Sequence, residues 1–450
     1  MGNGWLHHPK EEKMKKLLAF ITVFSVILGC MSGCSDKTEL SQSNPVTLTL
    51  WHVYGELADS PMNRMVNEFN NTVGREKGII INVTSITNSS KIGPELLEAQ
   101  KGLPGAPEMP DLFFCHNNNA EALGKENLLN WNEYFTSEEL SSIVPEFLSD
   151  GMVDNSLAVF PVSKSTHLLF IADGVFNRFS EASGVTYDTL STWDGFFLAA
   201  EKYHEWSGGK AFCALDYPLR CIELYALSLG AEDFYRNGWY DYSNEIFNNC
   251  FMKFASSIAK GHIVMSDLYS NTQVMTGEVA SGIGSSASIL YYNDTITYPD
   301  NTSEPMNLRV LPLPQSGNGV NLVTQAGVGL AGYKSTTQKA EASVVFAKWL
   351  TESDRNLDFV AQTGYMPVKK EAFTKISSYE FEDDDYKTLY EALDYTQKHC
   401  TAVTEPNFPD YYAKLSVLYD GIRNHQRNPE NYNDPEAFSA SIMQMFTSVK

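Results

Sequence analysis

Cysteine is scarce, with 7 in 450 residues, and no Cys-x-x-Cys pair occurs. Past residue 34 only Cys115, Cys213, Cys221, Cys250 and Cys400 remain, an odd set at scattered spacing. That excludes a disulfide framework and gives zinc no ligand pattern. Neither a metal nor another cofactor is expected. Basic residues are few: 33 Lys and Arg against 55 Asp and Glu, a formal net charge of -22. Binding to nucleic acid requires Lys and Arg to displace counterions from phosphates, so that class is set aside. Catalytic signatures are missing as well. There is no Gly-x-Ser-x-Gly elbow and no His-Glu-x-x-His. Trp206-Ser207-Gly208-Gly209-Lys210 lacks the upstream Gly and the closing Ser or Thr of a phosphate loop. Asp383-Asp384-Asp385 lacks the glycine and distal glutamate of a calcium loop and reads as a solvated face. An enzyme is not expected, although glycan hydrolysis needs only two well-placed carboxyls and stays open as the alternative.

What is present is an ordinary globular composition, 43% hydrophobic, with many aromatics: 23 Tyr, 25 Phe and 7 Trp. The length exceeds one ordinary core and predicts two domains. The first 34 residues are an address. Lys15 and Lys16 precede an apolar run, Leu17 to Gly29, that is short for a membrane span and right for a secretory signal. Met14 is the expected true start, because the residues before it have no signal character. Ile27-Leu28-Gly29-Cys30 and Met31-Ser32-Gly33-Cys34 both resemble the bacterial lipobox, whose cysteine becomes a lipidated N-terminus. Cys34 is favoured, since Ser32 and Gly33 suit the peptidase and polar residues follow; Cys30 is the alternative. Residues 35–45 are a polar tether.

The mature chain opens on Val46-Thr47-Leu48-Thr49-Leu50, a period-two strand running into Trp51, His52, Tyr54 and Gly55. Pro61 then suits a first helical turn, and Met62, Met65, Val66 and Phe69 share one helix face. Ile79–Val83 is a second strand, Pro94 opens a short helix to Lys101, and Pro110–Phe114 is a third strand. This alternation implies a parallel sheet. Leu157–Val162 and Leu168–Ile171 are strands entering a second unit. Thr192 caps a helix with Phe196, Ala199, Ala200 and Tyr203 on one face. The Pro-rich stretch 299–314 reads as a loop and crossover. Gly327–Ala331 is strand-like, a helix places Ser343, Phe346, Ala347 and Leu350 together, and the tail from about 371 is helical.

In this order, Leu48-Thr49-Leu50-Trp51-His52, Pro110-Asp111-Leu112-Phe113, Val159-Phe160-Pro161-Val162, Thr192-Trp193-Asp194, Gly282-Ile283-Gly284-Ser285-Ser286 and Thr363-Gly364-Tyr365-Met366-Pro367-Val368 resemble one family. It is the extracellular solute-binding proteins of bacterial ABC importers, in the carbohydrate group that includes maltose- and glycerol-3-phosphate-binding proteins. The family's Tyr-Asn-Lys is replaced here by Ile171-Ala172-Asp173.

The resemblance implies an α/β fold of two lobes joined by crossing strands, the type II periplasmic-binding-protein fold, with the ligand in the cleft. Lobe one is expected at 46–155 and 323–362, lobe two at 156–322 and 363–450. It implies capture of a carbohydrate, an oligosaccharide by preference and a glycerol-3-phosphate-like solute as the alternative. Delivery would be to ABC permease subunits, by a monomer lipid-anchored on the outer face of the cytoplasmic membrane. Sugars present C–H faces and hydroxyl rims, so their sites combine aromatic planes with fixed donors and acceptors. By family position the expected contacts are His52, Tyr54, Asn117, Asn118, Ser285, Ser286 and Tyr365, with Trp239 and Tyr240. For Trp239 a core role weighs equally. Trp51 is expected in the core, and His116 and His167 as ordinary polar residues.

Overall fold

In the computed structural model Val46, Leu48 and Leu50 are buried while Thr47 and Thr49 face outward, the alternation of a half-covered strand. The structure describes residues 40–55, 60–86, 89–232, 234–236, 238–265, 267–381, 383–406 and 410–449. The signal segment, Cys30, Cys34 and the start of the tether lie outside the described residues.

In chain order the frame strands are β1 (Val46–His52), β2 (Ile79–Ser85), β3 (Leu112–Cys115), β4 (His167–Ala172), β5 (Cys213–Leu215), β6 (Ile263–Val264), β7 (Ser281–Ser285), β8 (Leu308–Pro312), β9 (Leu322–Gln325), β10 (Gly329–Gly332) and β11 (Thr401–Thr404). Nine of them form two main sheets, one for each lobe, and β9 and β11 pair apart from these. The first has the order β10-β3-β1-β2. Its β1, β2 and β3 are parallel, as the strand–helix alternation implies, and β10 joins antiparallel to β3. The second has the order β6-β5-β7-β4-β8. Here β4 runs antiparallel to both neighbours, so this sheet is mixed.

The helix Pro61–Asn71 covers the first sheet through Met62, Met65, Val66 and Phe69, all buried. Each such side chain contributes about 1.5–3 kcal/mol of transfer free energy. Ser60 caps it, accepting the Asn63 N–H, and Pro61 stands in the first turn. Thr192 caps the helix Trp193–Trp206 as its sequence predicts, accepting the Gly195 N–H at 3.2 Å.

Some elements differ from the sequence reading. Pro94 lies inside the helix Ser89–Lys101 instead of opening it. Near a helix start the missing proline N–H costs a single hydrogen bond, which packing of Ile92 and Leu96 outweighs. The Leu-Pro-Leu-Pro stretch is not wholly loop. Leu308–Pro312 is an edge strand with Leu308 and Val310 buried, and an edge tolerates proline at its end. Leu157–Val162 is largely a connection; only Ser156–Leu157 pairs as a short strand. Asp383, besides being exposed, caps the helix Asp384–His399 by accepting the Asp385 N–H at 2.8 Å.

The lobes are joined where extended segments meet. Phe160 pairs with Leu330, Lys164 with Met366, and Ser165 with Ala326. Asn356, fully buried, sutures two of these segments: its Nδ2 donates to the Val162 carbonyl at 2.7 Å, and its Oδ1 accepts the Val368 N–H at 2.9 Å. β9 pairs in parallel with β11 from the tail. Cys115, Cys213, Cys221, Cys250 and Cys400 are all free thiols.

Candidate functional site

Tyr54 follows β1 and turns inward. Its hydroxyl lies 2.9 Å from Ser163 Oγ, and its ring meets Tyr365 edge-on at 5.4 Å between centroids. Gly364, beside Tyr365, has φ of 72°, and a Cβ there would sit 2.6 Å from the Ser286 carbonyl oxygen. The left-handed backbone and the missing side chain together let this crossing segment touch the turn after β7. Tyr54, Tyr365 and Ser286 are thereby brought to one place. Ser285 is adjacent and spends its hydroxyl on the cap of that turn, accepting the Ala287 N–H at 3.3 Å.

His52 is fully buried with both ring nitrogens engaged. Nε2 lies 3.0 Å from Asn63 Oδ1, and Nδ1 accepts the Tyr54 N–H at 3.2 Å. Burial holds its pKa below the usual histidine value. In this geometry it positions the Tyr54 backbone.

Asn117 and Asn118 open the helix Asn117–Leu123 after β3. Asn117 donates to the carbonyls of Asp150 at 2.7 Å and Met152 at 2.8 Å. Asp150 in turn holds the buried Lys164 of the crossing. So the lobe-one rim is tied to the same seam.

Trp239 and Tyr240 are placed elsewhere, deep under the C-terminal helix Pro435–Ser448. The Trp239 Nε1–H donates to the Phe446 carbonyl at 3.3 Å, and the Tyr240 hydroxyl bonds Glu223 and Tyr411, both at 3.0 Å. Both rings are buried, Tyr240 among Phe234, Phe247 and Phe446 and Trp239 against Phe446. For Trp239 the core role is what this packing supplies.

Residues outside the expected contact set also line the seam, among them the two histidines expected as ordinary polar residues. His167, at the start of β4, stacks on Tyr217 at 4.8 Å between centroids with 6° between planes. His116 meets Tyr412 across the seam at 6.5 Å. The Tyr412 hydroxyl donates to Glu405 at 2.9 Å. Tyr217 lies within electrostatic reach of Asp216, Tyr269, Glu405 and Tyr412. Burial pushes His116 down to about 4 and His167 to about 3, so both rings are neutral at neutral pH. Burial pushes the Asp216 carboxyl up to about 7 and raises Glu405 as well. Aromatic residues near an acid, as in Glu405 with Tyr411 and Tyr412, were the available sequence signal.

Of the thirteen buried side-chain polar atoms without a partner among the described residues, six belong to segments of this seam. They are Asn117 Oδ1, Asn118 Oδ1, Thr166 Oγ1, His167 Nδ1, Ser286 Oγ and Gln325 Oε1. They are linked through the chain: the Thr166 carbonyl accepts the Ser286 N–H at 2.7 Å, and Gln325 precedes Ala326, the partner of Ser165. A buried polar group left unpaired costs on the order of 1–3 kcal/mol, so a row of them is the chemistry of a surface that hydrogen-bonds a polar solute. The cations placed here are already paired, Lys164 with Asp150 and Arg220 with Glu223. By contrast, a cavity of about 440 Å³ beside the helix Pro61–Asn71 is lined by Arg64, Glu68, Glu352 and Arg355, and Arg355 is held by both glutamates. Among the described residues no group of three or more His, Cys, Asp or Glu could hold a metal ion, and no helix is long and apolar enough to cross a membrane.

The model of one family, bacterial extracellular solute-binding protein, matches residues 64–388. A search of curated protein sequences returns no significant match. Solved structures with the same fold include UgpB from Mycobacterium tuberculosis in complex with glycerophosphocholine, at TM-score 0.68 and 13% identity, covering 90% of this chain and 98% of that one. The cyclic alpha-maltosyl-1,6-maltose binding protein from Arthrobacter globiformis has TM-score 0.67 and 16% identity, covering 90% and 99%. The sugar-binding protein MalE from Xanthomonas citri has TM-score 0.65 and 16% identity, covering 90% and 96%.

Proposed function

The chain belongs to the bacterial extracellular solute-binding proteins, and from that premise we propose that it captures an oligosaccharide in the seam between its lobes and delivers it to the permease of an ABC importer. The observation that carries the carbohydrate reading is the row of unpartnered polar atoms, from Asn117 and Asn118 to Thr166, His167 and Ser286, beside the rings of Tyr217, Tyr365 and Tyr412. Sugars need both kinds of surface within one site. The structures of like fold described as a cyclic maltosyl-maltose binding protein and a sugar-binding protein support the same class. A glycerol-3-phosphate-like anion fits less well, since Lys164 and Arg220 are committed to carboxylates.

The proposed lobes are 46–155 with 323–362, and 156–322 with 363–450. Their independent sheets, meeting at the Phe160, Lys164 and Ser165 pairings, support that division. Of the expected contacts, Asn117, Asn118, Ser286 and Tyr365 stay in the proposed site, with Ser285, His52 and the fully buried Tyr54 supporting them; Tyr217, His167 and Tyr412 are added. The proposed address is the outer face of the cytoplasmic membrane, through a lipid on Cys34, with residues 35–45 as tether and the protein acting as a monomer. The proposed activity is binding without turnover.

Thermal-shift measurement against neutral oligosaccharides tests the reading. A specific sugar should stabilise the protein by about 2.7 kcal/mol at a hundred times its dissociation constant, and should be recovered intact. Failure of every sugar to stabilise would overturn the carbohydrate class. Hydrolysis that survives re-purification and is lost on replacing one acid would move the chain to the hydrolases.

A further inference from the structure

The seam is unevenly charged. Asp150, Asp216, Glu223 and Glu405 are grouped here with Lys164 and Arg220. Lys164 is bound to Asp150 and Arg220 to Glu223, and among the described residues Asp216 and Glu405 have no salt-bridge partner of their own. Arg423 acts on Asp216 from a distance but is paired with Asp420 at 3.0 Å, and Arg220 acts on Glu405 from a distance while its ion pair is with Glu223. The bonds that Asp216 and Glu405 do make are to neutral donors. Asp216 accepts from the Ser270 N–H at 2.7 Å and the Ser270 hydroxyl at 3.0 Å; Glu405 accepts from the Tyr412 hydroxyl.

Both acids lie within electrostatic reach of one aromatic ring, Tyr217. His167 covers one face of that ring, and the half-buried Tyr217 has Tyr269 (64% exposed) and Tyr412 (47% exposed) for neighbours. His167 itself is 2% exposed, and its Nδ1 has no partner among the described residues. A neutral imidazole nitrogen can accept an N–H. Tyrosine faces, carboxylates whose nearest cations are engaged in other ion pairs, and an imidazole acceptor together are the environment that attracts an ammonium group.

Resting on the carbohydrate reading above, we propose that the solute is a cationic sugar, whose ammonium group sits against Tyr217 with Glu405 and Asp216 as its counter-charges. The burial that raises both carboxyls is consistent with this. A cation entering the seam would favour their ionised forms, and binding would carry a proton release that a neutral sugar would not cause.

The test is titration calorimetry on the purified full chain with matched probes: chitin-type and maltose-type oligosaccharides, each as the neutral sugar and as its amine-bearing counterpart. The amine form should bind at least about tenfold tighter at low salt, and the advantage should shrink as salt rises. Glu405→Gln and, separately, Tyr217→Leu should cut the ratio between the two forms to within about threefold. Equal binding of both forms to the unaltered protein, or preference for the neutral form, would overturn the cation proposal and leave the carbohydrate reading standing. An amine preference that survives both substitutions would overturn the assignment to this cluster. No binding by any sugar of either charge would overturn the carbohydrate reading and the cation proposal with it.

Discussion

Replacing Arg220 by Ala should be among the most costly single changes in lobe two. Arg220 and Glu223 are each 2% exposed and form an ion pair at 2.7 Å within the helix Pro218–Ser228. The same guanidinium donates to Thr324 Oγ1 of β9 at 2.8 Å and to the carbonyls of Val403 and Thr404 in β11, the latter at 3.0 Å. One side chain thus ties a helix, a crossing strand and the tail. Removing one partner of a buried pair leaves the other charge uncompensated, at about 3–5 kcal/mol. Hydroxyl donors from Tyr235 and Tyr240 remain on Glu223 and place the expected value toward the lower end. Urea unfolding followed by tryptophan fluorescence reads this as a shift in midpoint at constant slope. Glu223→Gln in the Arg220→Ala background should then recover about 1–2 kcal/mol, because it removes the orphaned charge. A loss below about 1 kcal/mol for Arg220→Ala, or full additivity of the two changes, would refute the reasoning.

Asn356→Leu should destabilise by at least about 1–3 kcal/mol, since it strands the buried Val162 carbonyl and Val368 N–H, and the same urea assay checks it. Stability should also fall in mild acid. His116 and His167 are held neutral with pKa values pushed down to about 4 and about 3, while in the unfolded chain they take up protons below about pH 6.5. Their contribution is complete above that pH and is lost progressively toward pH 4, so a double His→Gln variant should show a flatter pH profile; an unchanged slope would contradict it. Cys34→Ala should abolish lipidation and membrane retention. Retention at unchanged mass, with Cys30→Ala abolishing it instead, would transfer the anchor to Cys30.

Much of the frame was legible because it is local. β1 shows period-two alternation, the Pro61–Asn71 helix shows its apolar face and proline, and Thr192 stands one residue before an apolar periodic run. Local reasoning failed where a distant partner decides. Leu308–Pro312 looks like loop until β4 offers it an edge. Trp239 and Tyr240 resemble site aromatics until Phe446, some two hundred positions later, packs on them. His52 ends β1 in the segment expected to meet the ligand, yet Asn63 and the Tyr54 N–H take both its nitrogens. In the seam the motif-bearing segments supplied Tyr54, Tyr365 and Ser286, which have recognisable neighbours in sequence. Tyr217, Glu405 and Tyr412 come from a helix start and the C-terminal tail, where nothing in the order of residues announces that they meet.

Capture between two lobes has a direct physical consequence. A solute that touches both lobes binds the closed arrangement better, and it can shift the equilibrium only by that difference in affinity. X-ray scattering of the protein with and without a saturating, stabilising sugar measures the consequence. The account predicts a smaller radius of gyration with the sugar bound; tight binding at unchanged dimensions would contradict it.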